Sequence, residues 1–155
     1  MPIQIGDKAP DFTLKDTDGN DISLRELRKD GSAVLLFFPL AFTSVCTDEM
    51  CHVRDNMKLY QSLNASIAGI SVDSFFTLKE FKKSQNINFL LLSDFNKDVS
   101  AAYNTIYEEF FGMKGVSKRS AFVVGADGLV KHLEILEDAG KLPDFDSIAD
   151  AISGK

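Results

Sequence analysis

The two cysteines of the chain, Cys46 and Cys51, stand five positions apart in the stretch FFPLAFTSVCTDEMC, which runs from Phe37 to Cys51. Thiols at that spacing can serve as a disulfide staple, half of a metal site, a redox pair or plain packing. No staple is needed, because a chain of 155 residues buries roughly 70% of the surface its unfolded form exposes. Two cysteines are also too few for a disulfide scaffold. A metal centre would draw on Cys46, Cys51 and His52, but structural zinc wants four ligands, usually as two close pairs. The other histidine, His132, falls on a predicted strand with no second pair around it. No metal or other cofactor is therefore expected, and redox chemistry and packing remain.

The bulk of the sequence narrows the setting. With 45% hydrophobic and 26% charged residues, the composition suits one soluble domain spanning residues 1–155. The net charge of −6 and the lack of a basic stripe argue against nucleic acid as a partner. No apolar run approaches the ~18 residues of a membrane helix. The opening MPIQIGDKAPDFTL lacks the basic segment and apolar core of a signal peptide. A cytoplasmic location is expected, and in that reducing setting a cysteine pair is more often catalytic or metal-binding than structural.

The elements that must position the cysteines can be read around them. Ala33 to Phe38 is a continuous apolar run suited to a strand buried on both faces. Cys46, Met50, Val53, Met57 and Tyr60 then step by four, three, four and three, which traces one helical face. Pro39 belongs in the loop before that helix. Thr43 or Ser44 is the candidate N-cap, and Asp48 and Glu49 are acids near the positive dipole end. Upstream, short strands are predicted at Asp11–Leu14 and Ile22–Leu24, separated by the turn chemistry of DTDGND. Downstream, SIAGISVD reads as a strand, FFTLKEFKKSQ as a helix, FLLLSD as a strand and Val99–Tyr103 as a short helix. EEFFGMKGVSK reads as irregular. RSAFVV and LVKHLEIL flank the hairpin signal Asp127-Gly128, and DFDSIADAIS closes with a helix. This alternation predicts an α/β fold: a central, mixed sheet flanked by helices, as in the thioredoxin-like architecture, with an N-terminal strand extension.

Cys46 falls in the first turn of a helix, where unsatisfied N–H groups and the dipole stabilise a thiolate. With a cation nearby, cysteines so placed have pKa values lowered to about 3.5–7.5. No cation neighbours Cys46 in sequence, so one must arrive through the fold. The alternative is a small hydrophobe on the apolar helix face. Cys51 is rotated by about 140° from Cys46, with Cα atoms on the order of 8–9 Å apart. That exceeds the roughly 7 Å limit for a disulfide, so the pair can bond only if the first turns unwind. Otherwise Cys51 is an inert, half-exposed cysteine.

Pro39 to Cys46 fits the pattern P-x-x-x-T-x-x-C. Together with GDKAPDFTL, GISVD, LLSDF and RSAFVV in that order, it makes nearly the whole chain resemble the peroxiredoxins, which reduce peroxides with a cysteine. FFPLAFTSVC is most similar to the AhpE-like branch. The C-x4-C spacing is similar to the Q-type, or bacterioferritin comigratory protein, branch. The resemblance implies that Cys46 is the peroxidatic cysteine, which attacks the terminal peroxide oxygen and becomes a sulfenic acid. It implies that the Thr43 hydroxyl holds the peroxide, that Arg119 supplies the missing cation, and that Pro39 shields the sulfur. Glu49 would help orient the arginine, and Cys51 would resolve the sulfenic acid as an internal disulfide. Read singly, Thr43 is also a helix cap, Pro39 a strand end and Arg119 a surface charge. The resemblance further implies thioredoxin, or a glutaredoxin-like protein, as reductant and a homodimer as the assembly. No cysteine follows Cys51 and there is no C-x-x-C, which counts against a general thiol–disulfide oxidoreductase. A non-enzymatic thioredoxin-fold binding module is the rival from another class.

Overall fold

A computed structural model describes residues 2–154. The chain begins with an antiparallel pair, β1 (Thr13–Asp16) and β2 (Asp21–Ser23), in register Thr13↔Ser23. Asp16 Oδ1 accepts the N–H groups of Asp18 and Asn20, each at 2.9 Å, and so closes the turn. Both strands are displaced from the positions predicted at Asp11–Leu14 and Ile22–Leu24. For β2 the cause is α1 (Leu24–Leu27), a single helical turn that the sequence reading did not anticipate. Leu24 enters it rather than extending β2, and the Ser23 hydroxyl caps it by accepting the Glu26 N–H at 3.2 Å.

β3 (Ala33–Phe37) is buried at every position. After it come α2 (Ser44–Asp55), α3 (Met57–Ser62), β4 (Ser66–Ser71), α4 (Phe75–Ser84), β5 (Leu90–Ser93) and α5 (Asp98–Ala102). β6 (Ser120–Val124), β7 (Val130–Ile135) and α6 (Phe145–Ser153) complete the order. The seven strands form one sheet in the order β2-β1-β5-β4-β3-β6-β7. β3, β4 and β5 pair in parallel, while β6 and β7 add antiparallel on one side and the β1–β2 pair does so on the other. This is the mixed sheet with an N-terminal extension that the sequence predicts.

Side chains alternate across β3, so it feeds both apolar layers. Val34 and Leu36 join the layer under α2, α3, α4 and α6. Ala33, Leu35 and Phe37 join the opposite layer with Phe12, Leu24 and Tyr103. The predicted face Cys46, Met50, Val53, Met57 and Tyr60 is wholly buried in the first layer. Its helix is not continuous, however. At Asn56 the backbone N–H turns back to Val53 O, and the Asn56 amide donates to His52 O at 2.7 Å. The break separates α2 from α3 without shifting the buried face.

Gly69 of β4 is what allows α2 to lie so close to the sheet. A Cβ there would meet Leu91 Cδ2 at 2.8 Å, Met50 Sδ at 3.2 Å and the Phe38 ring at 3.3 Å. The stretch between α5 and β6 is irregular, as predicted, with isolated bridges Ile106–Ser117 and Phe110–Met113. The β6–β7 hairpin turns through Asp127-Gly128, with Gly128 at φ 84. No helix among the described residues is long and apolar enough to cross a membrane.

Candidate active site

β3 delivers the chain into the segment that surrounds Cys46. Phe38 N–H still bonds Ile70 O at 2.9 Å, and Pro39, which has no N–H to give, then ends the ladder in a buried position. The Ala41 N–H donates to Asp73 Oδ2 at 2.8 Å, and the Ser71 hydroxyl donates to the same oxygen at 2.7 Å. Phe42 follows with φ 68, a left-handed conformation that turns the chain toward α2. Its exposed ring leans on Phe81 at 5.2 Å. Thr43 is the N-cap by position, and its carbonyl accepts the Thr47 N–H at 2.9 Å. Its hydroxyl does not cap the helix. It donates to Leu40 O at 2.8 Å, which curls the loop.

Cys46 lies in the first turn of α2, 1% exposed and with a free thiol. The cation missing from its sequence neighbourhood is Arg119. That residue immediately precedes β6, and Ser120 pairs with Phe37, the last residue of β3. The pairing brings Arg119 to the strand end from which the Cys46 loop departs. The guanidinium uses all of its directions. Nη2 donates to Cys46 Sγ at 3.1 Å, Nη1 to Glu49 Oε1 at 2.6 Å, and Nε to Ala139 O at 3.0 Å. Cys46 and Glu49 are three residues apart on α2 and so share one face.

Glu49 is 0% exposed and Arg119 1%. Burial pushes the Glu49 carboxyl up from 4.5 to about 7, with Arg119 pulling in the opposite direction by charge and hydrogen bond. Its second oxygen, Oε2, has no hydrogen-bond partner among the described residues, which is consistent with a carboxyl reluctant to ionise. Arg119 is pulled down by burial, but the charges of Glu49 and Cys46 outweigh this and hold it above its ordinary value. The Cys46 sulfur thus faces a guanidinium in a place closed to solvent. Asp48 and Glu49 are not dipole partners of the helix, because its first turn holds no acid. Asp48 is exposed and Glu49 is turned inward to Arg119.

A cleft of about 830 Å³ opens above the sulfur. Pro39, Thr43, Cys46 and Arg119 border its deep end, and Leu40, Val45, Phe110, Phe111 and Met113 line its walls. A smaller cleft of about 470 Å³ between β1, β5 and the start of α4 touches none of these groups. Among the described residues, no cluster of three or more His, Cys, Asp or Glu side chains could hold a metal ion.

The sequence profile of the AhpC/TSA family matches residues 5–133. The chain belongs to the AhpC/TSA family of peroxiredoxins. It is 35% identical to peroxiredoxin Bcp of Escherichia coli over 135 residues, 85% of each chain. It is 33% identical to alkyl hydroperoxide reductase E of Mycobacterium tuberculosis over 153 residues, 97% of each chain. The crystal structure of peroxidoxin BcpB from Mycobacterium tuberculosis superposes with a TM-score of 0.88 at 31% identity, covering 98% of this chain and 97% of the other. The chain is a thiol peroxidase of this family.

The second thiol of this peroxiredoxin is elsewhere. Cys51 is half-buried on α2, and its Sγ lies 3.5 Å from Gln85 Oε1 at the end of α4. Arg54 Nη1 donates to Gln85 O at 2.5 Å, which pins the same stretch of helix to α4. Both cysteines are free thiols on an intact helix, as the sequence geometry requires of the reduced state. Sequence reasoning missed Asp73, although the segment GISVD contains it. It also missed the Ala139 carbonyl and the Gln85 contact, which carry no local signal because each is made across the fold.

Proposed function

We propose that this single-domain enzyme reduces hydrogen peroxide and organic hydroperoxides with Cys46 as the attacking thiolate. The observation that carries the reading is the 3.1 Å contact from Arg119 Nη2 to Cys46 Sγ at a helix start. In the step envisaged, sulfur attacks the terminal oxygen of ROOH. The S–O bond forms as the O–O bond breaks, sulfur loses two electrons, and the departing oxygen takes a proton to leave as ROH. Arg119 stabilises both the thiolate and the charge that builds on the oxygens. Thr43 holds the peroxide through its hydroxyl, Pro39 keeps water from the sulfur, and Glu49 fixes the plane of the guanidinium.

Cys51 then resolves the sulfenic acid. Its thiolate attacks Cys46 sulfur, the S–S bond forms, and hydroxide leaves as water after protonation. The first turns of α2 must unwind for this, because the intact helix keeps the thiols apart. A thioredoxin, with a glutaredoxin-like protein as the alternative, returns the disulfide to two thiols in a reducing cytoplasm. The reading includes a homodimer, for which the exposed rings of Phe42, Phe76 and Phe95 offer apolar surface.

The test is peptide mapping and intact mass under non-reducing conditions after one equivalent of peroxide, with Cys46→Ser as control. A Cys46–Cys51 cross-link supports resolution within one chain. A lasting sulfenic acid, with Cys51→Ser turning over at the wild-type rate, reduces the mechanism to one cysteine and an external thiol. Normal peroxide consumption by Cys46→Ser would overturn the whole reading.

A further inference from the structure

Resting on that peroxidase reading, we propose that Thr105 is a positioning residue for the reaction. Together with Ser120 it clamps the peptide that leads into Arg119, and so aims the guanidinium at Cys46.

Arg119 stands at the very edge of the sheet. The ladders of β6 to its two neighbours end one residue later, at the pairs Phe37↔Ser120 and Ser120↔Ile135. The peptide after the Arg119 Cα is still held, because Arg119 O accepts the Leu136 N–H at 2.9 Å. The peptide before it, whose oxygen is Lys118 O, lies beyond both ladders. Two hydroxyls hold that oxygen instead. Thr105 Oγ1 lies 3.1 Å from Lys118 O and Ser120 Oγ 3.2 Å from it, and the two hydroxyls lie 2.8 Å apart. Their two protons serve these contacts: one hydroxyl donates to Lys118 O, and the other donates to the same oxygen or to the first hydroxyl. Thr105 O also accepts the Lys118 N–H at 2.9 Å. Thr105 therefore grips Lys118 through both its N–H and its C=O, and the peptide planes on either side of the Arg119 Cα are fixed.

Both residues of the clamp are 0% exposed. A hydroxyl taken out of water costs stability unless it is hydrogen-bonded, and a valine would fill the Thr105 site with almost the same shape. What the hydroxyl adds is its hold on the backbone ahead of Arg119. Thr105 can serve as an anchor because its own place is fixed. Asn104 turns the chain at φ 57 as it leaves α5, and the Thr105 N–H donates to Ser100 O at 2.9 Å. Val99 and Tyr103 root α5 and the residues after it in the second apolar layer. A second buried hydroxyl pair, Ser100 Oγ and Ser117 Oγ at 2.6 Å, ties α5 to the same stretch but does not touch the peptides flanking Arg119. The aim matters because Nη2 lies 3.1 Å from Cys46 Sγ. A peptide that swings when the clamp is lost moves the base of a long side chain, and misplacement of about 1 Å can cost on the order of 100-fold in rate.

The experiment measures the reaction of Cys46 with hydrogen peroxide by stopped-flow mixing, alongside thermal unfolding. Thr105→Val removes the hydroxyl and keeps the shape. It should slow the reaction by about 10-fold, a part of the roughly 100-fold expected when a preorganised donor is removed outright. Thr105→Ser returns the hydroxyl and should restore the rate. Ser100→Ala breaks the other buried hydroxyl pair, and should lower the unfolding temperature without slowing the reaction. Ser120→Ala removes the second half of the clamp and should also slow the reaction; it takes the place of Thr105→Val if that variant does not fold. A folded Thr105→Val or Ser120→Ala chain that reacts at the wild-type rate overturns the proposal. A loss that Thr105→Ser fails to restore, or an equal loss in Ser100→Ala, overturns it as well, because either makes the hydroxyl a matter of stability alone. Those failures leave peroxide reduction by the wild-type chain intact. A wild-type chain that does not reduce peroxide through Cys46 overturns the peroxidase reading itself, and this proposal with it.

Discussion

Raising the pH from 5 to 8 should destabilise this protein through Glu49, which is the reverse of what a paired surface carboxylate does. In the unfolded chain that carboxyl titrates near 4.5, whereas in the folded chain burial lifts it to about 7. Between those values the folded state keeps a proton that the unfolded state has lost, so stability falls as pH rises. The contribution is fully present below pH 4.5 and is lost on passing through 7. Each pH unit of the gap is about 1.36 kcal/mol, so the total from 4.5 to about 7 is on the order of 3 kcal/mol. That is a large part of the 5–15 kcal/mol typical of a folded domain. Glu49→Gln keeps the shape and removes the titration, so its unfolding free energy should vary less with pH over this range. The assay is urea unfolding of both chains at pH 5, 6, 7 and 8, read as the difference between them at each pH. Parallel stability curves would refute the reasoning, because they would mean that the 2.6 Å contact with Arg119 keeps Glu49 ionised throughout. A wild-type chain that gains stability relative to Glu49→Gln as pH rises would refute it as well.

Two further outcomes follow from the site. Arg119→Met should slow the reaction of Cys46 with hydrogen peroxide by about 100-fold or more, the scale for removing one preorganised donor, as read by stopped-flow mixing; a rate within a factor of a few of wild type would show the guanidinium to be structural. Asp73→Ala strips the acceptor from the Ala41 N–H and the Ser71 hydroxyl. It should lower kcat/KM for peroxide by about 10-fold or more through misplacement of the Pro39–Thr43 loop and cost about 1–3 kcal/mol of stability, checked by peroxide kinetics alongside thermal unfolding.

What could be read in advance divides along physical lines. The five-residue face from Cys46 to Tyr60 was legible because burial imposes a period, and all five positions are buried. The interruption at Asn56 was not, because one misdirected N–H leaves that period untouched and neither proline nor glycine marks it. α1 was invisible because a single turn is too short to show a pattern. The reach from Arg119 to Cys46 spans 73 positions and has no local signal, so only the resemblance carried by RSAFVV pointed to it. Glu49 was legible in part. Its place near a helix start suggested a dipole partner and the resemblance a partner of the arginine; α2 turns the position inward, where Arg119, just before β6, donates to it. Asp73 escaped because an acid at the end of a strand looks like any turn residue until the loop it holds is in view.

The order of strands in the sheet has a consequence for how the molecule is made. β3 lies between β4, its near neighbour in sequence, and β6, which begins at Ser120. β1, near the start of the chain, pairs with β5 rather than with β3. As the polypeptide leaves the ribosome, β3 and β4 can pair early, but β1 must wait for β5 and the other edge of β3 stays open until Ser120 has emerged. Pairings so distant along the chain are slow, because ordering the long intervening loop costs entropy before contacts repay it. Cys46 is therefore synthesised, and its helix can form, well before the guanidinium that acts on its sulfur exists. A nascent or truncated chain ending before Lys118 would hold this thiol without its partner. On the mechanism proposed above, reactivity toward peroxide is a late-acquired property, gained when the final strands dock, so it would report on completion of folding as well as on chemistry.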